Sequence, residues 1–237
     1  MQSKKRKTRS GRTVKAGAGT DAKKRQRLDP ALRRSRILDA AAKLIAAQGY
    51  LPIHMGDLAR EFSGSKALVY AYFPAPGDLY NAVLEREIIE LRTRGLGAAF
   101  ELTDVRQTVE VGGLLYFDYV MERGPLLRVL ICDRLMQDCI EPSIVDDIDA
   151  AMNSLVEQLR QQFGISRRTA AAACEMLSTI PEEAGSLALT EGMDIEALRT
   201  LCRRLLVSGL ESLSALPRCG AELIDHAAGT LDDREGA

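Results

Sequence analysis

The sequence predicts an all-α fold, and three observations carry that prediction. Hydrophobic residues make up 46% of the chain, with Ala and Leu dominant and Trp absent, a bias that favours helix by intrinsic propensity. Apolar residues recur at helical spacing in segment after segment. No run of alternating β-branched residues is bounded by turn residues, as a half-buried strand would require. The 237 residues are enough for one large domain or two smaller ones.

The first helix is predicted from Pro30 to Gln48, with Asp29 as cap, Pro30 at the first helical position and Gly49 as the left-handed stop. Ile37, Ala41, Leu44 and Ile45 fall on its inner face. A second helix runs from His54 to Phe62 on a stripe of Met55, Leu58 and Phe62. After the break Ser63-Gly64-Ser65, Ser65 caps a third helix through Tyr72, with Val69 and Phe73 pointing inward. Pro74 and Pro76 end it, and a fourth helix runs from Pro76 to about Arg94 until Gly95 and Gly97 stop it. Three short helices joined by tight breaks, the third of about two turns, suit the insertion of one small helix into a DNA groove.

Beyond residue 100 the helical pattern continues. One helix is expected over 104–122, broken at Gly124-Pro125, then another over 125–138. A third spans 142–163, with Ile144, Ile148, Met152, Leu155, Leu159 and Phe163 on one face and Gly164 closing it. A fourth runs from Ser166 to Leu189, bent near Pro181, and the last from Asp194 to Leu216. Leu198, Leu201, Leu205, Leu206, Leu210 and Leu213 give that last helix a strong apolar stripe.

Charge is distributed unevenly. Residues 1–36 hold 14 Lys or Arg against Asp21 and Asp29, a net of +12, so the remainder carries −13 of the formal total of −1. Residues 1–28 have almost nothing to bury and read as a basic disordered arm, and 218–237 as a flexible tail. A basic arm on an acidic body suits a protein that meets a polyanion at one end; a merely solubilising tail is the bland alternative. There is no signal-peptide pattern and no apolar run long enough to span a membrane, so a cytoplasmic location is expected. Cys132, Cys139, Cys174, Cys202 and Cys219 are scattered without metal or redox spacing and read as reduced thiols.

Catalytic chemistry finds no footing. His54 and His226 lie in different regions, and GxSxG, the P-loop and GxGxxG are absent. Glu141, Asp146, Asp147 and Asp149 read as a solvated helix face. No enzyme activity, cofactor or metal site is therefore expected.

Residues 33–80 resemble the DNA-binding domain of the TetR (tetracycline-repressor-like) family. The resemblance rests on Arg36-Ile37-Leu38-Asp39-Ala40-Ala41, Leu44, Gly49-Tyr50, Asp57-Leu58-Ala59, Ser65-Lys66, Tyr70, Tyr72-Phe73, Leu79 and Ala82-Val83-Leu84. It covers about 50 of the 237 residues in one register without a gap. It implies a helix-turn-helix domain over 29–75, with its motif at about 54–73, and a larger helical domain over 76–217. It also implies a homodimer built through a four-helix bundle of residues 166–189 and 194–216, a palindromic double-stranded operator, and a small effector that changes the spacing of the two reading heads.

Arg34, His54, Ser65, Lys66, Ala67, Leu68, Tyr70, Ala71 and Tyr72 are the DNA-facing candidates. Lys66, Ser65 and the two phenols suit phosphate oxygens. His54 stands where the family has a Thr or Ser cap, so it caps or touches phosphate. The chain also departs from the family pattern. Ser63-Gly64 replaces Gly-Val, Leu68 a small polar residue, Ala71 a common His, and Ala75-Pro76 the usual Ser-Lys. The reading face is thus poor in hydrogen-bonding groups, and Leu68 and Ala71 suit thymine methyls. Tyr116, Phe117, Tyr119, Met121, Leu130 and Met136 are the effector-pocket candidates. With no charge cluster that looks buried, an apolar or acyl-type effector is expected.

The reading is an operator-binding regulator, a repressor released by its effector. An architectural DNA-binding protein and a helical ligand-binding protein with a degenerate head are the alternatives.

Overall fold

The computed structural model describes residues 29–216, and the basic arm and the C-terminal tail lie outside the described residues. Ten α-helices and no strands occur among them: α1 (Pro30–Gln48), α2 (Met55–Glu61), α3 (Lys66–Tyr72), α4 (Pro76–Leu91), α5 (Gly97–Phe100), α6 (Val105–Cys132), α7 (Arg134–Cys139), α8 (Pro142–Phe163), α9 (Arg167–Ala188) and α10 (Ile195–Ser212). The all-α expectation holds.

Local chemistry sets most of the boundaries. Asp29 caps α1 by accepting from the Ala31 N–H, and Gly49 ends it in the left-handed region at φ 77°. Ser166 and Asp194 cap α9 and α10 in the same way as Asp29. The α4 helix starts at Pro76 with Asp78 reaching back to the Ala75 N–H at 2.8 Å. It passes through a π-helical stretch, Arg92–Leu96, whose kink at Gly95 leads into α5.

One expected break does not occur. The chain runs as the single helix α6 straight through Gly124-Pro125. An interior proline costs about 3 kcal/mol. Leu126, Leu127, Val129 and Leu130 just beyond it are buried, and fully burying such side chains is worth about 1.5–3 kcal/mol each. Tertiary packing therefore outweighs the lost hydrogen bond. The break falls instead at Asp133, which ends α6 and caps α7 through the Leu135 N–H.

Two main cores result. The first joins α1–α4 to Leu126, Val129 and Leu130 of α6, Met136 of α7 and Ile144 of α8. The second lies among α6, α8, α9 and α10, around Phe117, Leu159, Cys174, Cys202 and Leu206. Packing thus continues across the 75/76 boundary, because α4 contributes Leu79, Tyr80, Val83 and Leu84 to the first core. Backbone approach in the second core is close. A Cβ at Gly185 of α9 would sit 2.8 Å from the Val120 side chain and 3.0 Å from the Phe117 carbonyl of α6.

The apolar stripe of the last helix divides. Leu198, Leu206, Leu210 and Leu213 are buried, whereas Leu201 and Leu205 are about half exposed. No described helix is long and apolar enough to cross a membrane.

Candidate nucleic-acid interface

The first core presents α2 and α3 at its surface, and specific bonds fix them there. The Ile53 N–H donates to the buried Tyr80 hydroxyl of α4 at 3.2 Å, and the Leu51 N–H to the Asp133 carboxylate at 3.0 Å. Lys43 of α1 pairs with Glu61 of α2 at 2.6 Å. On the far side, Asn81 of α4 donates to the Cys139 carbonyl and accepts from the Glu141 N–H. The entry to α2 is thereby tied to the rest of the molecule, while α3 keeps its outer face free.

The turn between α2 and α3 has a conformational cost. Ser63, at φ 58°, occupies the left-handed region that favours glycine. Its neighbour Gly64 has another reason to lack a side chain: a Cβ there would overlap the Phe62 ring at 2.0 Å. The Ser63 departure noted in the sequence therefore falls on the strained residue of the turn.

Ser65 caps α3, its hydroxyl accepting from the Leu68 N–H at 3.2 Å. Lys66, Ala67, Tyr70 and Ala71 are exposed along the outer face. Val69 and Phe73 are buried, as their spacing predicts. Leu68 and Tyr72 are half-buried and pack against the first core, which leaves less of each free than a fully outward position would.

His54 requires a correction. It stands at the N-cap of α2 but makes no side-chain cap bond. Its Nδ1 lies 3.3 Å from the Asp57 carboxylate, which also accepts from Arg60. These two partners, Arg60 first, hold the Asp57 carboxyl below the usual carboxylate range. His54 is drawn over the helix rather than into its first turn.

Gly56, which the sequence reading overlooked, explains how His54 and Lys66 come together. A Cβ there would lie 2.8 Å from the His54 imidazole and 3.0 Å from the Lys66 Cε. The absence of a side chain lets both cationic-capable groups lie side by side over the start of α2. A glycine inside a seven-residue helix was the available signal.

Arg34 turns elsewhere. Its guanidinium stacks 5.3 Å from the centre of the Phe73 ring. It also lines a cleft of about 230 Å³ with Asp78, Glu85 and Glu141, an acidic neighbourhood for a residue expected to meet phosphate.

The six effector-pocket candidates are not gathered around one cavity. Leu130 and Met136 belong to the first core, Phe117 and Met121 to the second, and Tyr116 and Tyr119 to a small cluster with Leu91, Val120 and Leu127. Burial, then the Glu182 charge, pushes the Tyr116 phenol up to about 12.

The premise that no charge cluster is buried is overturned. Glu87 of α4 is fully buried. Its carboxylate accepts two hydrogen bonds from Arg123 at 2.6 and 2.5 Å and one from the Tyr119 hydroxyl at 2.9 Å, both from α6. The Arg123 bonds push that guanidinium above its ordinary range, and burial followed by the Glu87 charge raises the Tyr119 phenol. Every fully buried side-chain polar atom among the described residues has a partner.

A short, capped helix with an exposed face, held on a rigid three-helix scaffold, is the geometry of a groove-reading head. Residues 37–83 match the profile of "Bacterial regulatory proteins, tetR family". That match covers the three-helix head and the start of α4, about one fifth of the chain.

Among similar proteins, the transcriptional activator FasR of Mycolicibacterium smegmatis is 31% identical over 88 residues, which cover 37% of the chain and 40% of FasR. The transcriptional repressor SCO4008 of Streptomyces coelicolor is 33% identical over 102 residues, covering 43% of the chain and 50% of the repressor. The match thus spans half or less of either relative.

Solved structures resemble the chain over most of their length. A TetR-like regulator from Rhodococcus sp. RHA1 aligns with a TM-score of 0.62 at 20% identity, over 78% of this chain and 99% of its own. FadR of Bacillus subtilis, solved in complex with stearoyl-CoA, aligns at 0.60 and 18% identity, over 74% and 98%. AibR, solved with isovaleryl coenzyme A and operator DNA, aligns at 0.60 and 14% identity, over 74% and 98%. At these identities the likeness is one of fold.

Proposed function

We propose that this protein is a homodimeric transcriptional regulator that binds a palindromic operator through α3 and leaves it when a small effector occupies the helical domain. One observation carries the reading: α3 exposes Lys66, Ala67, Tyr70 and Ala71 on a scaffold that matches the tetR-family profile. Lys66 and His54, side by side over Gly56, serve as phosphate contacts, and Tyr70 adds a hydroxyl donor. Sequence choice rests on Ala67, Ala71 and the exposed part of Leu68, which suit thymine methyls. Such a regulator works in the cytoplasm. One relative is named an activator and the other a repressor.

The second copy of the chain has a place to sit. The outer surfaces of α9 and α10 expose Met176, Leu187, Ile195, Leu201 and Leu205, and apolar side chains on adjoining helices favour a covered face. Two such pairs form a four-helix bundle, which places two reading heads on a two-fold axis and accounts for a palindromic site. Long-chain or branched acyl-CoA is the effector class to test first, since FadR and AibR were solved with such molecules.

Selection of random 30-base-pair DNA by the purified protein, followed by footprinting, tests the reading. The expected result is an enriched palindrome, protected by a dimer and released by stearoyl-CoA or isovaleryl-CoA. Sequence-independent protection would favour an architectural role. Absence of DNA binding would leave a helical ligand-binding protein.

A further inference from the structure

Glu87 has a position and a set of partners that core packing alone does not require. Apolar contacts between helices are non-directional and tolerate small slides. A carboxylate held by two guanidinium N–H groups has a fixed geometry. Here that geometry joins α4, which leads out of the reading head, to α6. Tyr119 reinforces it by donating to both the carboxylate and the main-chain carbonyl of Glu87. Arg94 stacks on the Tyr119 ring at 5.2 Å and pairs with Glu90 of α4 and Glu122 of α6.

The adjacent residue makes its hydrogen bonds the other way, although its guanidinium also lies 3.7 Å from the Glu87 carboxylate. Arg86 bonds Asp39 at 2.6 Å and the Leu38 carbonyl at 3.3 Å, both in α1. Two consecutive residues of α4 therefore bind the head on one side and α6 on the other. Beside them lies a cleft of about 320 Å³ lined by Asp39, Lys43, Arg86, Glu122, Arg123 and Pro125. It opens between α1 and α6.

We propose that Glu87 is a latch: its bonds to Arg123 and Tyr119 lock the register of α4 on α6 and so set the orientation in which α3 meets DNA. The idea rests on α3 being the DNA-reading element. Energetics favour a switch over a stabiliser. Burying the Glu87 charge completely offsets much of its attraction to the partly exposed Arg123, so the closed pair adds little net stability. Removing one partner strands the other, so intermediate arrangements are costly. Glu87 is a positioning residue, 0% exposed, whose side chain takes its hydrogen bonds from Tyr119 and Arg123 of α6.

Two variants test the latch, with Glu157→Gln on the exposed α8 pair as control. In Glu87→Gln, hydrogen exchange of amides 84–91 should rise at least tenfold while α8 is unchanged. Affinity for the duplex enriched from the random pool should fall at least tenfold. In Glu87→Leu/Arg123→Leu, apolar packing should restore the melting temperature to within a few degrees of wild type while DNA affinity stays at least tenfold down. Wild-type affinity in that double variant would overturn the latch, as would unchanged exchange in Glu87→Gln. If Glu87→Gln fails to fold, the double variant decides. If the wild-type protein enriches no duplex, the reading of α3 fails and exchange at 84–91 alone decides the latch.

Discussion

The outer face of α3 and the junction of α4 with α6 solve opposite problems. At α3 the side chains are exposed and make few bonds to the rest of the chain. At the junction a fully buried carboxylate is bonded on all sides. Substitution at the first place changes what the protein touches. At the second it changes whether the head is held at all. A surface open to a partner must leave its groups available, and a joint must leave none.

The largest effect that would break this contrast belongs to the junction. Arg123→Ala removes two of the bonds to the Glu87 carboxylate and leaves it the Tyr119 hydroxyl and the more distant Arg86 at 3.7 Å, and chemical denaturation should show a loss of about 3 kcal/mol. A loss under 1 kcal/mol would mean that Glu87 can reach solvent.

Next comes alkaline pH. The Tyr116 phenol is pushed from its ordinary 10 up to about 12, mainly by burial. Its raised value favours the protonated folded state, so this contribution is intact below pH 10 and is lost as pH rises toward 12. Across that window it should amount to on the order of 2 kcal/mol. Tyr116→Phe should flatten the fall in stability, measured by denaturation at successive pH values.

At α3 the expected changes are in binding rather than stability. Lys66→Ala should weaken binding to every duplex alike by about 1 kcal/mol and reduce the salt slope by about one, with melting unchanged. Leu68→Ser should change the base preferred in a repeat selection. Equal loss on all sequences would remove Leu68 from the reading face. The smallest effect lies in the turn: Ser63→Gly relieves the left-handed strain and should stabilise by on the order of 0.5 kcal/mol.

Where local signals dominate, the fold was legible. Asp29, Ser65, Ser166 and Asp194 announce helix starts, and Gly49 and Gly164 announce stops, because caps act within a few residues. Gly124-Pro125 misled because the compensation for a broken hydrogen bond lies in the first core, distant in sequence. Leu201 and Leu205 looked like core because periodicity marks an apolar face without naming what covers it. Glu87 is surrounded in sequence by Glu85, Arg86 and Glu90, so it reads as one more charge on a wet helix face. Only Tyr119 and Arg123, more than 30 residues away, reveal its burial. For the candidate interface, residue types and the position of α3 were readable. The side-by-side placement of His54 and Lys66 depended on two helices folding against each other.

The 28 residues of α6, about 42 Å at 1.5 Å per residue, hold α4 through Tyr119 and Arg123, hold the π-helical stretch after it through Glu122, and hold α10 through Arg106, Glu110 and Asp118. Inserting a single residue between Asp118 and Tyr119 would turn one set of contacts by about 100° relative to the other. Descendants of this sequence can trade many exposed side chains along α6. They cannot lengthen or shorten it by one residue without uncoupling its two ends, so its length should drift far less than that of the loops around it.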